Sequence, residues 1–209
     1  VFHSDTVQTM GHYPFSLDSL QIDYLTCSAH KFHGPKGTGF LYAHPKNKIR
    51  SQIVGGGQER GLRSGTENLQ GIVGLQVAIN LAYDNIEAHE KHVRSIKAHM
   101  VEGLKSRIPG VSFNGNSDDV SRLYTVLNVK FPPHPNSGMA LFLLDLEGVA
   151  CSGGSACSSG ATKGSHVLNS LGFHDPNRAS LRFSFSHYTT VEEIDFALDA
   201  IERVFAPVE

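Results

Sequence analysis

The chain has 209 residues, of which 40% are hydrophobic and 18% are charged, and its formal net charge is −2. These values are typical of a globular protein with one large domain or parts of two, and they give no reason to expect binding to nucleic acid or to an anionic membrane. No apolar run is long enough to cross a bilayer, so we expect no membrane partner.

Short strands are predicted in the first third of the chain. Residues 1–45 alternate apolar runs with Gly and Pro, as parallel strands and their connections do. We predict strands at Val1–Ser4, Ile22–Ser28 and Gly39–Ala43. The chain begins inside the first of these strands and without a methionine, and we therefore expect that an upstream segment is missing.

Two long helices are predicted after the Gly-rich loop at residues 55–65. The first begins at Thr66, and the second ends at Pro109-Gly110. Their apolar residues recur at helical spacing, and we assign them to the core. These residues are Leu69, Ile72, Val73, Ala78 and Leu81 in the first helix, and Val93, Ile96, Met100 and Leu104 in the second.

Strands and helices alternate again after residue 110. A strand is predicted over residues 123–131, a helix over 137–146 and a strand over 179–186. The final helix starts at a capping box formed by Thr190 and Glu193. The strand over residues 179–186 alternates, with Leu181, Phe183 and Phe185 on one side and Arg182 and Ser184 on the other.

The order of these elements predicts an α/β fold in the first third and an α+β fold after about residue 110. We place a domain boundary in the long helical region, so that residues 1–85 and 86–209 form two domains. A long helix is expected to span this boundary.

The chain has three cysteines, Cys27, Cys151 and Cys157, an odd number without a C-x-x-C pair. This argues against a disulfide framework and fits a reducing cytoplasm, where a free thiol can react. The twelve histidines are scattered and form no H-E-x-x-H pattern, so we predict no metal site.

Four residues near the start suit the chemistry of pyridoxal phosphate (PLP). Asp5 ends a strand, Lys31 follows the next strand, and Ser28 and His30 flank this lysine. PLP needs a lysine for a Schiff base and a carboxylate that keeps its pyridine nitrogen protonated. Because ligands of α/β sheets bind at strand ends, we expect these groups to converge. Taken alone, Asp5 could instead cap a helix or form a salt bridge, and Lys31 could be a surface lysine.

Three separated segments carry a family resemblance: residues 22–39 around Lys31, residues 55–66 and residues 152–157. The first resembles the lysine signature of the class V aminotransferase family of PLP enzymes. The second is similar to the cysteine desulfurases within that family. The third is similar to the branch that serves iron–sulfur cluster assembly and nitrogenase maturation. The resemblance extends from Phe2 to about Phe205.

The resemblance implies a PLP-dependent transferase fold of type I. Residues 1–85 would be the C-terminal part of the large PLP-binding domain, with a mixed or parallel sheet, and residues 86–209 the small C-terminal α+β domain. Members of this family are about twice as long as this chain. We therefore expect that the N-terminal half of the same protein is missing, and that this half alone has little or no activity.

The resemblance also implies which residues hold the cofactor. Lys31 forms the Schiff base with PLP, and Asp5 pairs with the pyridine nitrogen. Gln8 hydrogen-bonds the ring hydroxyl. Ser28 and His30 contact the phosphate, and His30 is counted with Lys31 among the catalytic residues.

Two further residues extend the implied site toward the substrate and the second subunit. Thr66 reaches the phosphate of the other subunit's cofactor, so the protein is expected to be a homodimer. Arg182 binds the carboxylate of L-cysteine. The sequence alone also allows a salt bridge between Arg182 and a local carboxylate.

Cys157 is the implied acceptor of sulfur and the third catalytic residue. It lies in residues 151–161, which are almost all small and lack an apolar stripe, a composition that suits a flexible tether for a reactive thiol. The resemblance implies that the Cys157 thiolate attacks the sulfur of L-cysteine, which leaves alanine and a persulfide. The persulfide then passes to a sulfur acceptor or an iron–sulfur scaffold protein.

Other functions are compatible with parts of this pattern. A selenocysteine lyase, or another class V enzyme such as a kynureninase, would share the Lys31 segment but would not need Cys157. A fragment that has lost activity and only binds a partner protein is the remaining alternative.

Overall fold

A computed structural model describes residues 1–119, 122–153, 165–173, 175 and 177–206. The chain forms two compact units, Val1–Ala88 and His89–Glu209. No helix in the described part of the chain is both long enough and apolar enough to span a membrane.

The first unit contains a three-stranded sheet in the order β1 (His3–Asp5), β2 (Tyr24–Ser28) and β3 (Gly39–Ala43). Strands β1 and β2 are parallel. Strand β3 is antiparallel to β2, so the sheet is mixed, as the resemblance allowed, although the apolar runs of residues 1–45 had indicated parallel strands. The physical reason is the short link between β2 and β3, because a parallel crossover needs a dozen or more residues.

Helix α1 (Leu69–Asp84) follows the Gly-rich loop, which contains a 3-10 turn at Gln58–Gly61. The helix begins after Asn68, not at Thr66 as predicted, because the Asn68 side chain accepts a hydrogen bond from the Gly71 N–H at 3.1 Å. A Cβ on Gly74 would lie 2.8 Å from the Pro35 side chain. Small residues on α1 therefore allow close packing against the segment between β2 and β3.

Several of the larger apolar side chains of α1 are exposed, whereas Leu75 and Ile79 pack against the core of the first unit. The buried residues of the helix are Gly71, Ala78 and Ala82. The prediction that the whole apolar stripe lies in the core was thus wrong for four residues, whose exposed fractions are between 44% and 65%. They are Leu69, Ile72, Val73 and Leu81.

The second unit is built on an antiparallel sheet in the order β4-β5-β7-β6. The strands are β4 (Ser112–Phe113), β5 (Val126–Pro133), β6 (Ser152–Gly153) and β7 (Arg178–Ser184). The helices are α2 (Ile86–Arg107), whose first three residues belong to the first unit, α3 (Ala140–Leu146), α4 (His166–Ser170) and α5 (Val191–Val204). This arrangement confirms the prediction of an α+β fold after residue 110.

One face of the second sheet forms the core. Leu127 and Val129 of β5 and Leu181 and Phe183 of β7 are buried, and alternate residues point to the opposite face. The predicted capping box of Thr190 and Glu193 is present at the start of α5. The helix predicted over 137–146 begins only at Ala140, because a 3-10 turn at Pro135–Met139, capped by the His134 side chain, precedes α3.

Candidate cofactor and substrate site

Lys31 lies in a 3-10 turn, Ala29–Phe32, that directly follows β2. Ala29 and Phe32 are buried, whereas His30 and Lys31 are exposed. His33 ends the turn in a left-handed conformation with φ 67°. The two buried side chains anchor the turn, so that the imidazole and the ammonium group are left free to face a ligand.

Backbone contacts fix the position of this turn. The Ala29 N–H donates to the Thr38 carbonyl at 3.0 Å, and the Ala29 carbonyl accepts from the Gly34 N–H at 2.9 Å. Gly11 packs on the other side of the turn, where a Cβ would lie 2.9 Å from Phe32 Cβ and where the backbone has φ +76°. Only glycine suits Gly11, because both the space and the backbone conformation disfavour a side chain.

Asp5 is the last residue of β1 and lies opposite Thr26 of the parallel strand β2. The carboxyl ends of β1 and β2 therefore lie at the same edge of the sheet, which is where ligands of α/β sheets bind. The Asp5 side chain is exposed, and its Oδ1 accepts a hydrogen bond from the Val7 N–H at 2.9 Å. Gln8 is exposed in the turn that follows β1.

An open groove of about 490 Å³ lies beside the Lys31 turn. Its walls are formed by Cys27, Ser28, His30, Lys36, Gly37, Thr38 and Gly39. Two hydroxyl groups, an imidazole and an ammonium group are the donors that a phosphate needs, so these residues fit the phosphate end of PLP. Gly39 allows β3 to approach β2 closely at this edge of the groove, because a Cβ at this position would overlap the Cys27 carbonyl.

Sequence reasoning missed Lys36 and Thr38 as residues of this groove. Both belong to the segment whose likeness to the family was noted, but neither was assigned a role. The antiparallel pairing of Ser28 with Gly39 brings their neighbour Thr38 to the groove. The short link between two strands, with its Gly and Pro, is the signal that could have indicated this hairpin.

Thr66 is exposed in the segment before α1. The adjacent helix cap contacts the groove wall, since Asn68 Nδ2 lies 3.5 Å from Thr38 Oγ1. Thr66 does not line the groove beside Lys31.

Arg182 lies on the face of the second sheet that is opposite the core. It pairs with Asn128 of β5 and with Ser152 of β6. Its Nε is buried and has no hydrogen-bond partner among the described residues. The neighbouring Arg178 instead forms the local salt bridge, at 3.2 Å from Asp175.

Two of the three thiols are shielded from solvent, and Cys157 lies outside the described residues. Burial raises the pKa of the Cys27 thiol from 9.0 to about 11. Burial, with a smaller effect of the Asp145 carboxylate, raises the pKa of Cys151 from 9.0 to about 11. Both thiols are therefore poor nucleophiles at neutral pH.

We expect iodoacetamide at pH 8 to modify Cys157 in the folded protein and to leave Cys27 and Cys151 almost unmodified. The thiol must lose its proton to react, and raising the pKa from 9.0 to about 11 lowers the thiolate fraction at pH 8 about 100-fold. Peptide mass spectrometry would measure the extent of labelling. In urea all three thiols should react, and labelling of Cys27 at the rate of Cys157 in the folded protein would contradict the prediction.

Known proteins are similar to this chain in sequence and in fold. The profile of the aminotransferase class-V family matches residues 1–196. A cysteine desulfurase IscS from Clostridium botulinum is 42% identical over 205 residues, which cover 97% of this chain and 51% of that protein. A cysteine desulfurase from Sinorhizobium fredii is 43% identical over 98% of this chain and 52% of its own length.

A solved NifS-like protein from Rickettsia africae matches with a TM-score of 0.86 and 32% identity, over 98% of this chain and 53% of that chain. The fold and the lysine turn thus define a chain of the PLP-dependent fold type I class, as the sequence predicted. More particularly, the chain belongs to the aminotransferase class-V family. It spans about half the length of the curated relatives that it matches.

Proposed function

We propose that the full-length protein, with the half that precedes this chain, is a PLP-dependent cysteine desulfurase. The observation that carries this proposal is the exposed Lys31 turn at the end of β2, with Asp5 at the end of the parallel strand β1. Beside the Lys31 turn lies the groove whose hydroxyl, imidazole and ammonium groups suit a phosphate. The 42% and 43% identity to cysteine desulfurases supports the choice of reaction within the family.

The residues of the first unit would hold the cofactor. Lys31 would bind PLP covalently, and Asp5 would pair with its pyridine nitrogen. Gln8 would donate to the ring hydroxyl, while Ser28 and His30 would bind the phosphate. When bound, PLP withdraws electrons from the substrate carbon and so makes its proton acidic. The exposed, outward-facing Lys31 and His30 support these roles.

The reaction would need three actions from the chain. Arg182 would bind the carboxylate of L-cysteine, which its buried, unpartnered Nε supports. The Lys31 amine, released from the cofactor when the substrate amine replaces it, would take the α-proton of the substrate. The Cys157 thiolate would attack the substrate sulfur, so that an S–S bond forms and the C–S bond breaks. The carbon fragment keeps the electron pair and is protonated to alanine, and the products are L-alanine and a persulfide on Cys157.

The whole protein would act as a cytoplasmic homodimer that passes sulfur to another protein. Thr66 is exposed before α1 and would reach the phosphate of the partner subunit's cofactor. A persulfide needs an acceptor, for which a sulfur carrier or an iron–sulfur scaffold protein is suitable. The cofactor and substrate sites also need residues from the preceding half of the protein.

The proposal is tested by incubating the full-length protein with PLP and L-cysteine. We expect alanine and protein-bound persulfide in equal amounts during the first turnover, and sulfide release when a thiol reductant is added. Preference for L-selenocysteine without persulfide formation would instead indicate a selenocysteine lyase. No product from either amino acid, although PLP binds, would contradict the proposed function.

A further inference from the structure

Asn128 lies next to Arg182 on the outer face of the second sheet. The two residues are direct partners in the antiparallel pairing of β5 and β7. Side chains at such positions have Cβ atoms about 4.5–5.5 Å apart. Both residues point away from the core, because their neighbours Leu127 and Leu181 are buried on the opposite face.

A hydrogen-bond network holds Asn128 in place. The buried Asn114 donates from Nδ2 to Asn128 Oδ1 at 2.9 Å and to Ser180 Oγ at 3.2 Å. The Ser117 hydroxyl accepts from the Asn128 N–H at 3.0 Å and donates to the Asn128 carbonyl at 3.1 Å. Backbone and side chain of Asn128 are therefore both fixed from one side.

The orientation of the Asn128 amide leaves its Nδ2 without a partner, next to Arg182, whose Nε also has none among the described residues. Because Asn128 Oδ1 is engaged by Asn114, the remaining hydrogen-bonding group of the side chain is Nδ2. No hydrogen bond in the described part of the chain uses Asn128 Nδ2 or Arg182 Nε. Two neighbouring donors without an acceptor, one of them charged, favour an anion with two oxygens.

We infer that Asn128 and Arg182 together bind the carboxylate of the amino-acid substrate. Arg182 supplies the charge, and Asn128 supplies a second, neutral donor that Asn114 orients. This inference rests on the proposed function for the identity of the substrate. It assigns a role in substrate binding to Asn128 that sequence reasoning did not detect.

Two small thiols can be used as binding probes to measure the contribution of the substrate carboxylate separately from that of the amine. 3-Mercaptopropionate has the thiol and the carboxylate of cysteine without the amine, and cysteamine has the thiol and the amine without the carboxylate. In the full-length, PLP-loaded protein, isothermal titration should show that N128A raises the Kd of 3-mercaptopropionate about tenfold, the usual effect of losing a hydrogen bond to a charged group. The Kd of cysteamine should stay within twofold.

The variant N128D replaces the amide donor by an anion beside Arg182. It should weaken the binding of 3-mercaptopropionate by more than N128A does, because the new carboxylate pairs with Arg182 and repels the ligand.

The KM for L-cysteine should rise about tenfold in N128A, with kcat within twofold. The control is N136A, since Asn136 donates to the Val204 carbonyl at 2.8 Å in the same unit and lies outside this pair. It should leave both probes unchanged.

Two results would overturn the inference. If N128A weakens the binding of both probes equally, the role of Asn128 is structural. If N128A does not weaken the binding of 3-mercaptopropionate, Asn128 does not contact the carboxylate. The proposed function can fail separately. If the unsubstituted protein forms no alanine from L-cysteine but N128A still selectively weakens 3-mercaptopropionate, the carboxylate pair stands and the desulfurase proposal falls.

Discussion

Replacing Lys31 with alanine in the full-length protein is expected to abolish the PLP adduct that survives borohydride reduction. It should also lower the rate of alanine formation from L-cysteine by at least about three orders of magnitude, because one side chain supplies both the covalent attachment and the base. The measurements are the mass of the reduced protein, with peptide mapping of the modified lysine, and the initial rate of alanine formation.

The substitution should leave the fold intact. The turn at Lys31 is anchored by buried Ala29 and Phe32, while the Lys31 side chain is exposed. Exposed substitutions of this kind usually change the free energy of unfolding by less than about 0.5 kcal/mol. A loss of activity with unchanged thermal unfolding would therefore reflect chemistry and not stability.

A matched control for Lys31 is Lys48→Ala. Lys48 is also exposed and belongs to the same unit, but it does not line the groove beside the Lys31 turn. This variant should keep the adduct and the rate. If the adduct persists in K31A on a different lysine, the assignment of Lys31 is wrong, even if the protein binds PLP.

The segment around Lys31 could be predicted from the sequence because its chemistry is local. Ser28 is the last residue of β2, and His30 and Lys31 lie in the turn directly after it. Asp5 is the last residue of β1, which pairs with β2. Their convergence follows from the general rule for strand ends in α/β sheets. The direction of β3 was less accessible, because it depends on the length of a link that also contains the 3-10 turn.

Asn128 could not have been found in this way. Its relation to Arg182 depends on the register between two strands that are far apart in sequence, and register is not a property of either strand alone. The alternation of Leu181, Arg182 and Phe183 predicted the face of Arg182 correctly. It could not indicate which residue of another strand would lie opposite.

The apolar residues of α1 show a second limit of prediction from the sequence. Periodicity identifies a helix with apolar residues on several faces, but it does not say which face packs within the same unit. Gly71 and Ala78 are buried, whereas the larger Leu69 and Val73 are exposed. The apolar stripe was therefore assigned to the core as a whole, whereas the packing is made by the small residues together with Leu75 and Ile79.

Replacing Cys157 with serine is expected to stop sulfur transfer while the Lys31 adduct remains. A serine hydroxyl is almost fully protonated at neutral pH and cannot form a persulfide, so the rate of alanine formation should fall by about three orders of magnitude. Cys27 and Cys151 should not replace it, because burial raises the pKa of each to about 11. Alanine formation and the mass of one added sulfur atom on the protein are the two measurements.

The control variant Cys151→Ser tests whether the effect belongs to Cys157 or to any thiol near it in sequence. Cys151 precedes β6 and is partly buried. Its replacement by serine should leave the rate of alanine formation within about twofold, since a raised pKa excludes Cys151 as the nucleophile.

If C157S keeps its rate of alanine formation, the substrate sulfur is not taken by the Cys157 thiol. The protein would then resemble a selenocysteine lyase or a kynureninase in mechanism, because the cofactor turn would act without a protein persulfide. If both variants lose activity but keep the Lys31 adduct, the segment that contains both cysteines is required as a whole, and the specific role of Cys157 is contradicted.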